Sequence, residues 1–200
     1  MNESTVSAAA AVPCAIDALH HALRAYARRW PAEAAVVDLF GGLLDEPGHA
    51  DPGHADPFTR DRLAGHFTAS SWLVDGSGTR VLLTHHRKLD RWLQLGGHAD
   101  GDRELARVAL REAEEESGLT GLSVEDAIFD LDRHWIPERT DVPGHWHYDV
   151  RYVVRAGVNE DYVVSDESHD LAWRDIAAIV DDAGADASMR RMAEKWLARS

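Results

Sequence analysis

The chain has 200 residues, 44% apolar and 28% charged, a balance that suits one globular domain with a core large enough to need no covalent staples. Its 21 Lys and Arg against 35 Asp and Glu give a net charge of −14, which repels nucleic-acid backbones and anionic lipid and argues against both as partners. The single cysteine, Cys14, excludes an intramolecular disulfide and any multi-cysteine zinc cluster, and suits a reduced, cytoplasmic setting.

The longest apolar run, Ala8 to Ile16, covers nine residues, well short of the roughly 20 that a membrane helix needs. Glu3 precedes it and no Lys or Arg does, so it does not read as a signal peptide. Ile16, Leu19, Leu23 and Tyr26 recur at helical spacing and predict a helix from Ala15 to Arg29, closed by Trp30-Pro31. A second helix is expected from Glu33 to Leu44. Next, Pro-Gly-His-Ala-Asp occurs in tandem at Pro47–Asp51 and Pro52–Asp56, a short duplication in a Pro/Gly loop that also pairs His with Asp as metal ligands do. Phe67–Val74 and Thr79–His85 are β-rich runs around Asp75-Gly76-Ser77-Gly78 and predict a hairpin.

Leu93–Leu95 reads as a short strand ending at Gly96-Gly97, followed by a helix from about Arg103 to Ser117 that Gly118 stops. Strands are expected at Ala127–Leu131, His147–Ala156 and Asp170–Trp173, and helices at Asp175–Asp181 and Ala187–Arg199. The mixed order predicts an α/β (α+β) sandwich with a mixed sheet. Residues 1–62 would form an N-terminal helical extension, and residues 63–200 the main domain.

The chemistry concentrates in the helix Arg103–Ser117. Leu105, Val108 and Ala109 share one stripe, and continuing it reaches Glu112, Glu115 and Glu116. Two carboxylates about 4 Å apart repel by roughly 4 kcal/mol at an effective dielectric near 20, so on a half-buried stripe they call for cations or protons. Hard oxygen ligands select Mg²⁺, Mn²⁺ or Ca²⁺ over zinc. A plain solvated acidic face is the alternative.

The same residues carry a resemblance. Gly97-x5-Arg103-x7-Arg111-Glu112-Ala113-Glu114-Glu115-Glu116-Ser117-Gly118-Leu119 resembles the Nudix box, G-x5-E-x7-R-E-U-x-E-E-x-G-U with U apolar. Arg103 is the one departure, at a position where the family has Glu; Asp102 and Glu104 flank it. The resemblance implies a Nudix-type α/β/α sandwich and a Mg²⁺- (or Mn²⁺-) dependent pyrophosphohydrolase. Its substrate would be a nucleoside diphosphate-linked or related small phosphorylated metabolite, as clustered divalent ions neutralise phosphate charge and make water nucleophilic.

By position in the box, the resemblance implies metal ligands at Glu112, Glu115, Glu116 and the Gly96 carbonyl, with Glu112 also handling the proton of water. It implies that Arg111 orients a carboxylate, and that Glu167, in an acidic loop outside the box, supplies a further ligand or base. The fold is shared by prenyl-diphosphate isomerases, but these need a catalytic cysteine in the domain, and Cys14 lies outside it. A nucleotide or sugar-nucleotide sensor is the other alternative, favoured by Arg103 and opposed by the full set of glutamates.

A second constellation is His145-x-His147-x-Asp149, which period-2 alternation puts on one strand face, with His134 expected on the neighbouring strand. Such a face binds a transition metal, grips a substrate phosphate, or is simply polar surface. His86 and Arg87, in the one basic cluster of the region, are further candidates for substrate binding. Trp135 and Trp146 are either core or stacking platforms. The extension either covers the site or forms a homodimer contact.

Overall fold

The computed structural model describes residues 15–46, 55–87, 90–164 and 168–199. Helix α1 (Ala15–Arg29) buries Leu19, Leu23 and Tyr26, the stripe its periodicity predicts. Pro31 then opens a 3-10 turn, Pro31–Glu33, which re-aims the chain into α2 (Ala34–Asp45) with Val37, Phe40, Leu43 and Leu44 buried. There follow β1 (Gly65–Val74), β2 (Arg80–His86), β3 (Arg91–Leu93), β4 (Leu95–His98), α3 (Leu105–Ser117), β5 (Ser123–Ile136), β6 (His145–Arg155), β7 (Ser168–Asp175), α4 (Ile176–Asp181) and α5 (Ala187–Leu197).

The strands make one mixed seven-stranded sheet centred on β1. β1 runs parallel to β6 in unbroken register from Gly65↔Trp146 to Val74↔Arg155. Its other edge is divided: β4 pairs with Thr68–Ser71, while β2 touches it only at Val74↔Val81 before turning to β3 and β7. Every residue of β1 is buried, as befits a strand covered on both faces. On one face Phe67 and Ala69 pack with Phe40 of α2 and Val108 and Ala109 of α3. On the other, Trp72 and Val74 meet Ile179 of α4 and Met189 and Met192 of α5. The expected sandwich of helices around a mixed sheet is what the chain forms.

The differences have local causes. Leu93–Leu95 is the junction of two strands rather than one, and β4 continues through Gly96 and Gly97. A Cβ on Gly96 would stand 2.6 Å from the Ser70 Cα, so glycine there permits a close approach of β4 to β1. β5 has 14 residues, much longer than Ala127–Leu131. Its register shifts between Val124 and Ile128 and again before Asp130, so no simple alternation marks its ends. Helix α3 starts at Leu105, after the Asp102 side chain accepts the Glu104 N–H at 2.9 Å.

A buried charge network joins the helices to the sheet. Asp130, fully buried, accepts from Arg151 Nη1 at 3.1 Å, Arg191 Nε at 2.9 Å and Lys195 Nζ at 2.6 Å. Burial pushes the Asp130 carboxyl up, but the Arg191 hydrogen bond and the surrounding positive charges outweigh it, and the net shift is downward. Lys195 also reaches Glu33 Oε1 and Tyr26 Oη, each at 2.6 Å. The N-terminal helices therefore share both the apolar core and the ion network of the sheet.

Candidate functional site

On α3 the core-facing stripe is Leu105, Val108, Ala109, Ala113 and Ser117. The three glutamates flank that stripe instead of continuing it: Glu112 and Glu116 are half-buried and Glu115 is exposed. Gly118 ends the helix with φ 69°, a left-handed conformation that suits glycine, its N–H donating to the Glu114 carbonyl at 2.9 Å.

Glu112 lies directly on the backbone of β4, so near that a Cβ on Gly97 would be 2.6 Å from its Cδ. Arg111 Nη2 donates to Glu112 Oε1 at 3.0 Å and reaches the His98 carbonyl at 3.5 Å. Burial raises the Glu112 carboxyl above the usual carboxylate range; the Arg111 hydrogen bond opposes this, and the charges of Glu115 and Asp100 add to it. A half-buried carboxylate with acidic neighbours is stabilised by a hard divalent cation, so the donor chemistry fits Mg²⁺ or Mn²⁺. Gly96 sits in β4 opposite Ser70.

Arg103, the departure from the box, turns away from the glutamates. Its Nη2 pairs with Asp56 Oδ2 at 2.6 Å, and its guanidinium lies over the Phe58 ring at 5.5 Å. Asp102 is held by Arg107 through two hydrogen bonds of 2.9 and 2.6 Å, with Arg111 at 4.0 Å. Of the tandem Pro-Gly-His-Ala-Asp repeats, only Ala55 and Asp56 lie within the described residues.

The second predicted constellation lies on the face of the sheet opposite α3. Register sets His66 of β1 beside His147 of β6, and His134 of β5 on the other side of His147. His98 enters from β4, paired with Thr68. The rings of His66, His98, His145 and His147 cluster at centroid separations of 5.0–5.2 Å. Burial, together with Arg60 and His66, lowers the His98 pKa to about 4; burial, together with the other histidines, lowers that of His147 to about 2. Asp149 shares the face but lies deeper, 1% exposed. Its carboxylate accepts from Thr68 Oγ1 at 3.0 Å, Ser70 Oγ at 2.8 Å and Arg151 Nε at 2.8 Å.

His86 and Arg87 stand elsewhere, where β2 meets β3 and β7; Arg87 Nη2 reaches the Ser168 carbonyl at 3.4 Å. Glu167 lies outside the described residues, as does Cys14. Trp135 and Trp146 pack edge to face at 5.2 Å, with the Arg133 guanidinium 3.9 Å from the Trp146 ring.

Sequence reasoning missed His66 and His98 as partners of His147, and it missed Trp92. Trp92 lines a cleft of about 490 Å³ between the β2–β3 corner and helices α4 and α5, with Leu83, Arg91, Arg174 and Met189. Arg174 lies over its ring at 5.4 Å and His85 stacks on it at 5.2 Å. Only the strand pairing brings these residues together.

Comparison with known proteins agrees with the geometry. The family model described as the NUDIX domain matches residues 65–196. Among solved structures, the chain is similar to an Ap4A hydrolase binary complex from C. elegans, at 17% identity over 66% of this chain and 96% of that one, with a TM-score of 0.53. It is also similar to a NUDIX-family hydrolase from Clostridium perfringens (22% identity, 68% and 98% covered, TM-score 0.53). A third is the MutT protein from Methanosarcina mazei Go1 (20% identity, 68% and 94% covered, TM-score 0.53). No curated protein matches the chain significantly. The chain belongs to the Nudix family and is by class a pyrophosphohydrolase.

Proposed function

We propose that this protein cleaves the diphosphate bond of a small nucleoside diphosphate-linked or related phosphorylated metabolite, with Mg²⁺ or Mn²⁺ held by Glu112, Glu115, Glu116 and the Gly96 carbonyl. The observation that carries this reading is the Glu112 carboxylate, half-buried against Gly97 and oriented by Arg111 at 3.0 Å. When bound, the metal neutralises phosphate charge and lowers the pKa of water.

The chain's own residues do the rest. Arg111 fixes one Glu112 oxygen and leaves the other free of that bond. The raised proton affinity of Glu112 suits it to take a proton from the attacking water. With a net charge of −14 the protein repels an anionic substrate, so cations at the site are needed for binding as well as for chemistry.

A phosphate-release screen would test this against nucleoside diphosphate-linked compounds, dinucleoside polyphosphates, nucleotides and prenyl diphosphates, each with Mg²⁺, with Mn²⁺ and with chelator. Chelator-sensitive turnover of one class, abolished in a folded Glu115→Gln variant, is the expected result. Ligands that raise Tm without turnover would overturn it in favour of a sensor.

A further inference from the structure

Histidine is the residue type this site has in excess of what phosphoanhydride hydrolysis requires. One nitrogen from each of His66, His98 and His147 converges with the others to within 4.8 Å, the sole set of three ligand-type side chains to do so among the described residues. The box glutamates are not gathered in this way.

His66 is the informative member. It is 3% exposed, and its Nδ1 is 3.3 Å from the Arg62 carbonyl oxygen. A carbonyl only accepts, so Nδ1 carries the proton and Nε2 presents a bare lone pair. That Nε2 is buried and has no hydrogen-bond partner. A buried acceptor left without a donor is costly, and a ring fixed through a backbone carbonyl is how proteins orient a metal-binding imidazole.

His145 repeats the arrangement: its Nδ1 is 2.9 Å from the Pro143 carbonyl, so its Nε2 also presents a lone pair. That atom is 3.2 Å from His147 Nε2. Two nitrogens bound to one tetrahedral ion at about 2.0–2.1 Å stand about 3.3 Å apart, so little movement separates this pair from joint ligation.

We propose that His66, His98 and His147 form a second metal site, for a borderline transition ion of the Zn²⁺ class, with the fourth position facing His145. Neutral imidazoles without carboxylate or thiolate select Zn²⁺, Co²⁺, Ni²⁺ or Cu²⁺ and bind Mg²⁺ poorly, the reverse of the glutamate helix. The two sites lie on opposite faces of β4. Gly97 abuts Glu112, while Gly96 abuts Ser70, on the face His66 shares, and His98 follows that alternation. An ion here would pin β1, β4 and β6 together where the sheet edge is divided.

The test reads binding, not turnover, so it stands or falls independently of the proposed reaction. Chelator-treated full-length protein is titrated with Co²⁺ and followed by its visible absorption, then back-titrated with Zn²⁺; metal content and Tm are measured in parallel. Expected are one equivalent per chain, a tetrahedral-type Co²⁺ band that Zn²⁺ displaces, and a rise in Tm. His66→Gln and His147→Gln should each weaken binding at least about 100-fold, more than the loss of an outer-shell partner costs. Glu112→Gln and Glu115→Gln should leave it unchanged. Should His66→Gln fail to fold, His98→Gln, altering a half-buried residue, supplies the same comparison. The proposal is overturned if the wild type binds no Co²⁺ saturably, if binding survives all three histidine variants, or if the glutamate variants abolish it.

Discussion

Substituting Gly97 by Ala isolates the chemistry from the fold. Gly97 is not in the left-handed region, so its backbone accepts a side chain. The new Cβ would lie 2.6 Å from Glu112 Cδ, against about 3.5–4.0 Å for an unstrained contact, so the carboxylate must retreat by about 1 Å. The displaced atoms are the far end of a flexible side chain, and the main loss is the Arg111 hydrogen bond, about 1 kcal/mol at a half-exposed site. A misplacement of about 1 Å at a reacting centre costs about 100-fold in rate, or about 2.7 kcal/mol of barrier. In a Mg²⁺-dependent phosphate-release assay the variant is therefore expected to lose about 100-fold in kcat/KM while keeping Tm within a few degrees. Gly96→Ala is the counterpart: its Cβ would meet Ser70 Cα at 2.6 Å and the Ala69 carbonyl at 2.7 Å, backbone that cannot retreat. It should cost about 1–3 kcal/mol of stability. Wild-type turnover by Gly97→Ala would refute the placement of Glu112, as would a fold loss equal to that of Gly96→Ala.

Asp130→Ala leaves Arg151, Arg191 and Lys195 facing one another in the interior and should cost about 3–5 kcal/mol in urea unfolding; a loss under about 1 kcal/mol would mean Asp132, Asp149 and Glu33 suffice to hold them. Arg103→Glu restores the family's residue but sets a carboxylate against Asp56, in a pair that is partly exposed on both sides, so stability should fall by up to about 1 kcal/mol, read as a small drop in Tm that salt reverses; a salt-independent change would contradict the pairing. The Glu112 carboxyl is raised in the folded state, so without metal the folded chain releases its proton at higher pH than the unfolded chain, and the stability this contributes at low pH is lost as pH rises through the folded value. Melting curves without metal should show that decline in the wild type and less of it in Glu112→Gln; a steeper decline in the variant would reverse the assigned sign.

The glutamate-bearing helix was legible because its signal is local. The box is gapless over Gly97–Leu119, and α1 matches its predicted span, Ala15–Arg29, because its apolar stripe is regular. The limits of β5 were not legible. Glu125, Asp126, Asp130 and Asp132 mask its strand character, and Asp130 is tolerated in the interior only through cations distant in sequence, Arg151 on β6 and, over sixty positions away, Arg191 and Lys195. The histidine face was half legible. Alternation along β6 put His145 and His147 together, but His66 and His98 join them only through a parallel pairing with β1 and an antiparallel pairing of β1 with β4. No spacing encodes that meeting. Trp92 went unremarked for the same reason: its neighbours come from β2, β7 and α5.

β4 has a different set of donor side chains on each of its faces. In Gly96-Gly97-His98 successive positions face opposite sides of the sheet, and the two glycines are small for different reasons, one against the β1 backbone and the other against the Glu112 carboxylate. The strand thus separates hard oxygen donors on α3 from the imidazoles of β1, β6 and its own His98. Donor sets of different softness on either side of one strand should be loaded by different ions, so Mg²⁺ dependence and Zn²⁺-class binding should titrate separately. If Zn²⁺ at one equivalent instead displaced Mg²⁺ from turnover competitively, the two sets would be a single site and that separation would be wrong.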